Sequence, residues 1–423
     1  MRATRRSVLA WAAASPTLAP CKATAAELGV GEDLKRYAEF GVKASGGPGD
    51  TACGEWVERR LRDLGYHVRR QTFDTPFFEP ARVDIRVDGK GVELLAQEPA
   101  RTTGAGGVEA PLVISPSWEA GDVSGRIMVA PLPYRRWSSS LSPEVATAVN
   151  RARRGGAVGL ILVTDGPTGQ AVALNARPDM VWPCPMAVVG PRAGADLVRA
   201  AAEGRTARLT ITGRGGRRPA FNVIGRLDRG YGQTLVLSTP RSGWTVCAGE
   251  RGPGLASWLA LAAWAVRSAP HDLLAVCTSG HEYEYQGSHH FLASSDAPQP
   301  ARTALWAHIG ANLAARDWHE GYGALRPLAS VDPQRVLVAT GNIVEAIAPA
   351  VRGLPGLERV YDASQGAAGE VAEILAAGYP RVFGVFGAHR FHHVAGDDLR
   401  CVEVSHVAVA TKGLRAAVLA ALV

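Results

Sequence analysis

The 423-residue chain is 47% hydrophobic and 20% charged and carries 48 glycines, a composition that excludes disordered and fibrous classes and leaves room for two domains with a large core. No apolar run reaches the ~20 residues of a membrane-spanning helix, and the longest, Leu255–Val266 and Leu414–Val423, read as buried helices. The net charge of +7 is scattered as single Arg residues and short pairs, without the basic block interleaved with aromatics that nucleic-acid binders show.

Residues 1–25 have the form of an export signal. A basic segment with Arg5-Arg6 precedes a short apolar stretch and then Ala23-Thr24-Ala25, the pattern of a twin-arginine leader, which places the mature chain in the periplasm or outside the cell. Cys21 suggests a lipoprotein anchor, but Pro20 directly before it fits that motif poorly. The other cysteines, Cys53, Cys184, Cys247, Cys277 and Cys401, are odd in number, far apart and without a Cys-x-x-Cys pair, so they signal neither a zinc ribbon nor a disulfide framework.

Next in chain order, Glu32–Phe40 and Asp50–Leu64 have helical spacing on either side of the turn Ser45-Gly46-Gly47-Pro48-Gly49. Strands are expected at His67–Phe73 and Val83–Val87, and a domain boundary in the Thr- and Gly-rich stretch Arg101–Gly107. Residues 105–215 then alternate short strands (Leu112–Ser115, Gly125–Pro131, Val158–Thr164, Met186–Val189, Ala207–Thr212) with helices at Val145–Arg154 and Ala193–Ala202. This is an α/β unit set between residues 26–104 and 216–423. Its segments Asp122–Leu132, Ala152–Asp165 and Cys184–Ala201 resemble the protease-associated domain. That resemblance implies an insert which could lid a cleft or bind a protein partner.

From Ala220 onward, strands and helices alternate in the manner of a mostly parallel sheet covered on both faces, the α/β class. Strands fall at Phe221–Leu227, Thr234–Thr239, Leu273–Thr278, Leu305–Ile309, Val336–Ala339 and Val382–Phe386; helices fall at Gly254–Ser268, Asn342–Val351, Gly369–Ala377 and His406–Leu422. In such sheets catalytic groups lie just past the carboxyl ends of strands. Polar segments there are Pro240-Arg241-Ser242 followed by Gly249-Glu250-Arg251, then Gly280-His281-Glu282-Tyr283-Glu284, His308, and His389 to Asp397 with His392-His393.

With Ser45–Phe73 at the other end, this order of segments resembles the superfamily of zinc aminopeptidases, glutamate carboxypeptidases and glutaminyl cyclases over nearly the whole mature chain. The resemblance implies hydrolysis of peptides or small amides at a zinc centre: histidine and carboxylate ligands leave one position for water, and a carboxylate takes the water's proton. The match at that centre is uneven. The family's His-x-Asp falls on Pro240-Arg241-Ser242, so both ligands are missing. Its bridging Asp falls on or beside Glu250, its Glu-Glu pair on His281-Glu282, its next Asp on Ala307 or His308, and its last His on His393, with His392 as the alternative.

The resemblance therefore implies one zinc, held by Glu282 and His393 with His308 or Glu250, and His281 as the base. Each residue also has a plainer explanation. His281 and Glu282 can sit in a polar loop, His308 can be hydrogen-bonded at a strand end, and Glu250 can simply favour a helix N-terminus. His289 and His290 begin a helix-like run and read as packing or surface residues. The rival function is a binding protein that kept the fold and lost the chemistry; cyclase-like acyl transfer is a third. No P-loop or nucleophile-elbow motif occurs.

Overall fold

The computed structural model describes residues 28–114, 122–321 and 324–423. The leader, with Arg5-Arg6 and Cys21, lies outside the described residues.

Helices α1 (Val30–Glu39) and α2 (Pro48–Asp63) lead into the long strand β1 (His67–Val87), followed by β2 (Lys90–Glu93) and β3 (Leu95–Ala96). The middle of the chain forms β4 (Val108–Ile114), β5 (Ile127–Pro131), α3 (Pro143–Gly155), β6 (Gly159–Val163), β7 (Met186–Val189), α4 (Pro191–Ala202) and the long β8 (Thr206–Leu227). Then come β9 (Thr234–Pro240), α5 (Gly252–Ser268), β10 (Asp272–Thr278), α6 (Gln286–Leu292), β11 (Thr303–Ile309), β12 (Arg316–Gly321) and β13 (Ala324–Val331). The chain closes with β14 (Arg335–Ala339), α7 (Gly341–Ile347), β15 (Val360–Asp362), α8 (Glu370–Ala376), β16 (Val382–Gly387) and α9 (Val404–Leu422).

One sheet carries the architecture, in the order β15-β14-β16-β11-β9-β10-β8-β4-β5-β6-β7-β3, with β1 beside β8 and β2 beside β1. Its heart is the parallel run β16-β11-β9-β10. All seven residues of β9 are buried, as expected of a strand covered on both faces. Helix α5 is apolar nearly all round and buries Leu255, Trp258, Leu259 and Leu261; it packs between the sheet and helices α1 and α9, and Trp258 Nε1 donates to Leu237 O at 2.9 Å. Helix α9 is long and apolar enough to cross a membrane, but half of it is buried against α5 and α7, which marks a core helix.

Strand β8 differs from the reading of two strands, Ala207–Thr212 and Phe221–Leu227. It is one continuous strand whose first part pairs with β4 and whose last part pairs with β10, while β1 pairs along nearly its full length. Gly213, Gly215, Pro219 and Pro80 look like breakers, yet this ribbon is exposed at its middle and accommodates them through an irregularity at Pro80/Arg82. Gly213 is required there, because a Cβ would lie 2.3 Å from Glu79 O. Helix α7 also ends early: Pro349 cannot continue it, and a 3₁₀ turn covers Ala348–Val351. The five cysteines named above are buried and unbridged.

Candidate functional site

The loops after β9, β10 and β16 and the start of α5 converge at the carboxyl edge of the parallel strands, where they bury a group of polar side chains. Glu250 is fully buried at the entry to α5, its backbone N–H held by Asp397 Oδ2 at 3.1 Å. Its Oε1 lies 2.7 Å from Arg251 Nη2, 3.2 Å from His393 Nε2 and 3.8 Å from His392 Nδ1. Burial alone would raise the Glu250 pKa, but Arg251 and the two histidines more than offset it and hold the carboxyl well below its usual range. The rings of His392 and His393 stack with centroids 3.8 Å apart.

His393 Nδ1 faces the carbonyl of Ala173 at 3.0 Å, so this nitrogen must donate. Its Nε2 faces the Glu250 carboxylate at 3.2 Å. Glu250, His392 and His393 offer three ligand atoms within 4.8 Å of one another.

The other sequence-predicted residues are engaged elsewhere. Glu282 Oε1 accepts from Ser45 N and Ser45 Oγ, both at 2.7 Å, and Oε2 accepts from Ser242 Oγ at 2.7 Å. Burial raises its pKa against those hydrogen bonds. His308 Nδ1 lies 2.9 Å from Ser238 Oγ, which itself accepts from Trp306 Nε1 at 2.8 Å; burial, then Arg251, pushes His308 down to about 3, so its ring is neutral. His281 Nδ1 meets Glu370 Oε1 at 3.0 Å. Burial pushes Glu370 up to about 7, and burial followed by Arg251 pushes His281 well below its usual value. Of the five residues singled out by sequence, Glu250 and His393 touch; Glu282, His308 and His281 each bond to other partners.

Arg241 and Ser242, within the segment Pro240-Arg241-Ser242 where the sequence resemblance expects His-x-Asp, make structural contacts. The buried Arg241 guanidinium pairs with Asp50 Oδ1 at 2.9 Å and donates to Phe221 O and Cys277 O, tying α2 to the sheet. Arg251 and Glu370 were not found as site residues from sequence. Arg251 stands next to Glu250 and carries no motif, and Glu370 reaches His281 only through the fold.

Arg251 is the cation of this site. It is 1% exposed, and among the groups it bears on are Glu250, His281, His308, His392 and Glu370. A second strand of evidence for a special site is backbone strain: Cys247, Glu284, Tyr285, Asn312 and His393 all have positive φ, a conformation costly for non-glycine residues and concentrated here.

The middle of the chain closes over these groups. Ala173 N donates to His393 O at 3.0 Å while Ala173 O meets His393 Nδ1, and Ala176 N donates to Glu282 O at 3.1 Å. Ser138 Oγ lies 3.3 Å from His392 Nε2, Ser139 Oγ donates to Glu284 Oε1 at 2.5 Å, and Trp244 Nε1 donates to Asn175 Oδ1 at 2.9 Å.

The same architecture occurs in solved aminopeptidases. An aminopeptidase from Aneurinibacillus sp. strain AM-1 matches with a TM-score of 0.69 at 16% identity, covering 94% of each chain. A zinc aminopeptidase from Bacillus subtilis matches with a TM-score of 0.71 at 15% identity, again covering 94% of each. The chain has the zinc-aminopeptidase fold. A peptidase precursor from Shewanella amazonensis is similar to the same degree, with a TM-score of 0.69, 16% identity and coverage of 95% of this chain and 96% of that one. No protein-family model and no curated protein matches the sequence.

Set against a zinc centre of that fold, the residues present do not fit two ions. Pro240 and Ser242 supply neither the imidazole nor the carboxylate that the sequence resemblance expects at those positions. The carboxylate Glu250 is already paired with Arg251 through its Oε1, and its Oε2 is buried without a hydrogen-bond partner among the described residues.

Proposed function

We propose that this chain is an exported peptide- or amide-binding protein on the zinc-aminopeptidase fold, in which the Arg251 guanidinium supplies the positive charge that a metal supplies in catalytic relatives. The observation that carries the reading is the buried Glu250–Arg251 pair at 2.7 Å among the positions where the sequence resemblance expects ligands and base. A divalent ion added beside this neutral pair would bring two further positive charges next to the guanidinium, with one carboxylate to balance all three, in a poorly solvated site. In this reading residues 105–215 are a protease-associated insert and residues 1–25 a twin-arginine leader; the insert's contacts at Ala173, Ala176 and Ser138 cover the cleft and admit ligands when they open.

A second reading is favoured by His393, whose Nδ1–carbonyl contact is the arrangement of a metal-ligating histidine. There Glu250, His392 and His393 would hold one zinc, which when bound supplies Lewis-acid activation of water and of a peptide carbonyl. The His281–Glu370 pair would hold and pass the proton.

Chelator-treated protein reloaded with zinc, assayed on a panel of aminoacyl-nitroanilides, separates the two. Binding of dipeptide amides in equilibrium dialysis, without zinc-dependent turnover, supports the first reading. Zinc-dependent turnover that is lost in His393→Ala overturns it in favour of the second.

A further inference from the structure

Behind Glu250 lies another group of buried side chains that neither reading uses. His389, Asp397 and Cys401 are all 0% exposed, and their ligand atoms lie within 4.8 Å of one another. They close around Gly249, where a Cβ would lie 2.6 Å from His389 Cε1, 2.8 Å from Asp397 Oδ1 and 3.0 Å from Cys401 Cβ.

His389 is the anomaly. Neither of its ring nitrogens makes a hydrogen bond, although both are buried. A fully buried imidazole with two unsatisfied nitrogens is costly, and an unseen ion or water is a usual cause. Its Nε2 points at Asp397 Oδ2 across 3.3 Å. That separation suits two ligands on one tetrahedral zinc, whose bonds to N and O of about 2.0–2.2 Å set them roughly 3.3 Å apart.

Charge points the same way. Where Glu250 has a guanidinium at 2.7 Å, Asp397 has a ring nitrogen and the backbone N–H groups of Gly249 and Glu250, at 2.6 and 3.1 Å. A divalent ion bound by one carboxylate, one thiolate and one neutral imidazole is charge-balanced, whereas the same ion beside Glu250 and Arg251 is not. A further oxygen, Gly396 O, lies 3.7 Å from the Cys401 sulfur. Sulfur, imidazole and carboxylate together select zinc over calcium or magnesium.

We propose that His389, Asp397 and Cys401 form a zinc site distinct from the candidate cleft, one that holds the Gly249–Glu250 turn and the start of α5 in place. Binding takes the proton from the Cys401 thiol and releases it to solvent, leaving a thiolate on the metal. Asp397 links the ion to the cleft, since its two oxygens accept the Gly249 and Glu250 N–H groups. The proposal stands whichever reading of the cleft is correct, because the cleft offers no sulfur from Cys401.

Cobalt(II) is the probe, because a thiolate ligand gives a sulfur-to-cobalt charge-transfer band that nitrogen and oxygen ligands do not. The full chain, stripped with chelator and titrated with cobalt, is expected to develop this band to one equivalent and to lose it when zinc is added. The band is expected to vanish in Cys401→Ser and His389→Gln, and to persist in His393→Ala and in Cys247→Ser, which removes the neighbouring buried thiol. No band in the unaltered protein, or a band that survives Cys401→Ser or is lost with Cys247→Ser, overturns the proposal. If Cys401→Ser does not fold, His389→Gln, which keeps the thiol, decides by the same band.

Discussion

Replacing Arg251 by Met removes the guanidinium that neutralises Glu250 and leaves the rest of the fold's packing largely in place. Both partners are at most 1% exposed, and their closest atoms are 2.7 Å apart. Removing one member of such a buried pair costs about 3–5 kcal/mol, because the remaining charge is left without compensation. A Coulomb estimate agrees: two unit charges ~4 Å apart at an effective dielectric of ~20 interact by about 4 kcal/mol. His393 Nε2, 3.2 Å from the same oxygen, can take up part of the load, so the lower end of the range is expected. The assay is urea unfolding at pH 7 in chelator. Arg251→Lys, which keeps the charge but loses the Nε bond to Ser242 O, should lose less. In Arg251→Met the Glu250 carboxyl loses the largest of the charges that hold its pKa down, with His392 and His393 remaining, so its pKa moves upward; the variant's deficit should shrink as the pH falls and the carboxyl protonates. With the cation gone, the variant should also bind one more equivalent of zinc than the unaltered chain. A loss under ~1 kcal/mol at pH 7, with no added zinc uptake, would refute the assignment of Arg251 as the site's charge.

Glu282→Ala leaves the Ser45 N–H and the Ser45 and Ser242 hydroxyls without their acceptor; a loss of about 3 kcal/mol in unfolding experiments, with zinc content unchanged, is expected. Half-buried Glu98, which accepts from Tyr283 Oη at 2.6 Å, is pushed up to about 7 by desolvation of its carboxyl. Its folded pKa exceeds its unfolded one, so its contribution is intact below about pH 4.5 and is lost as pH rises through about 7. Melting temperatures of Glu98→Gln between these pH values should fall less steeply than those of the unaltered chain, with residual slope from Glu370, Glu282 and Glu284, which shift in the same direction. Ala173→Pro removes the N–H that bonds His393 O, and faster modification of His392 and His393 by diethylpyrocarbonate should report the opened cover.

Much of the fold was legible because its signals are local. The apolar runs of β9 and β10, and the helical spacing of α2 and α5, follow from burial on two faces or one. The hairpin of β12 and β13 escaped notice because its second strand is mostly exposed and contains Pro327, so neither alternation nor an apolar run marks it. The long β1–β8 ribbon carries the glycine and proline signals that usually end strands, so its continuity is not visible in the sequence. Of the residues that the sequence resemblance points to, Glu250 and His393 meet. Sequence order could not find Arg251 or Glu370, because their roles depend on where their side chains are brought by distant elements. Nor could it tell that Glu282 turns toward Ser45, a contact across 237 residues of chain that no periodicity encodes.

The central claim is that Arg251, and not a metal, balances Glu250. A crystal soaked in zinc and measured on both sides of the zinc absorption edge tests it directly. The account predicts no anomalous peak between Glu250, His392 and His393, with the Arg251 guanidinium still against the carboxylate. A peak there, with Arg251 displaced, would contradict it.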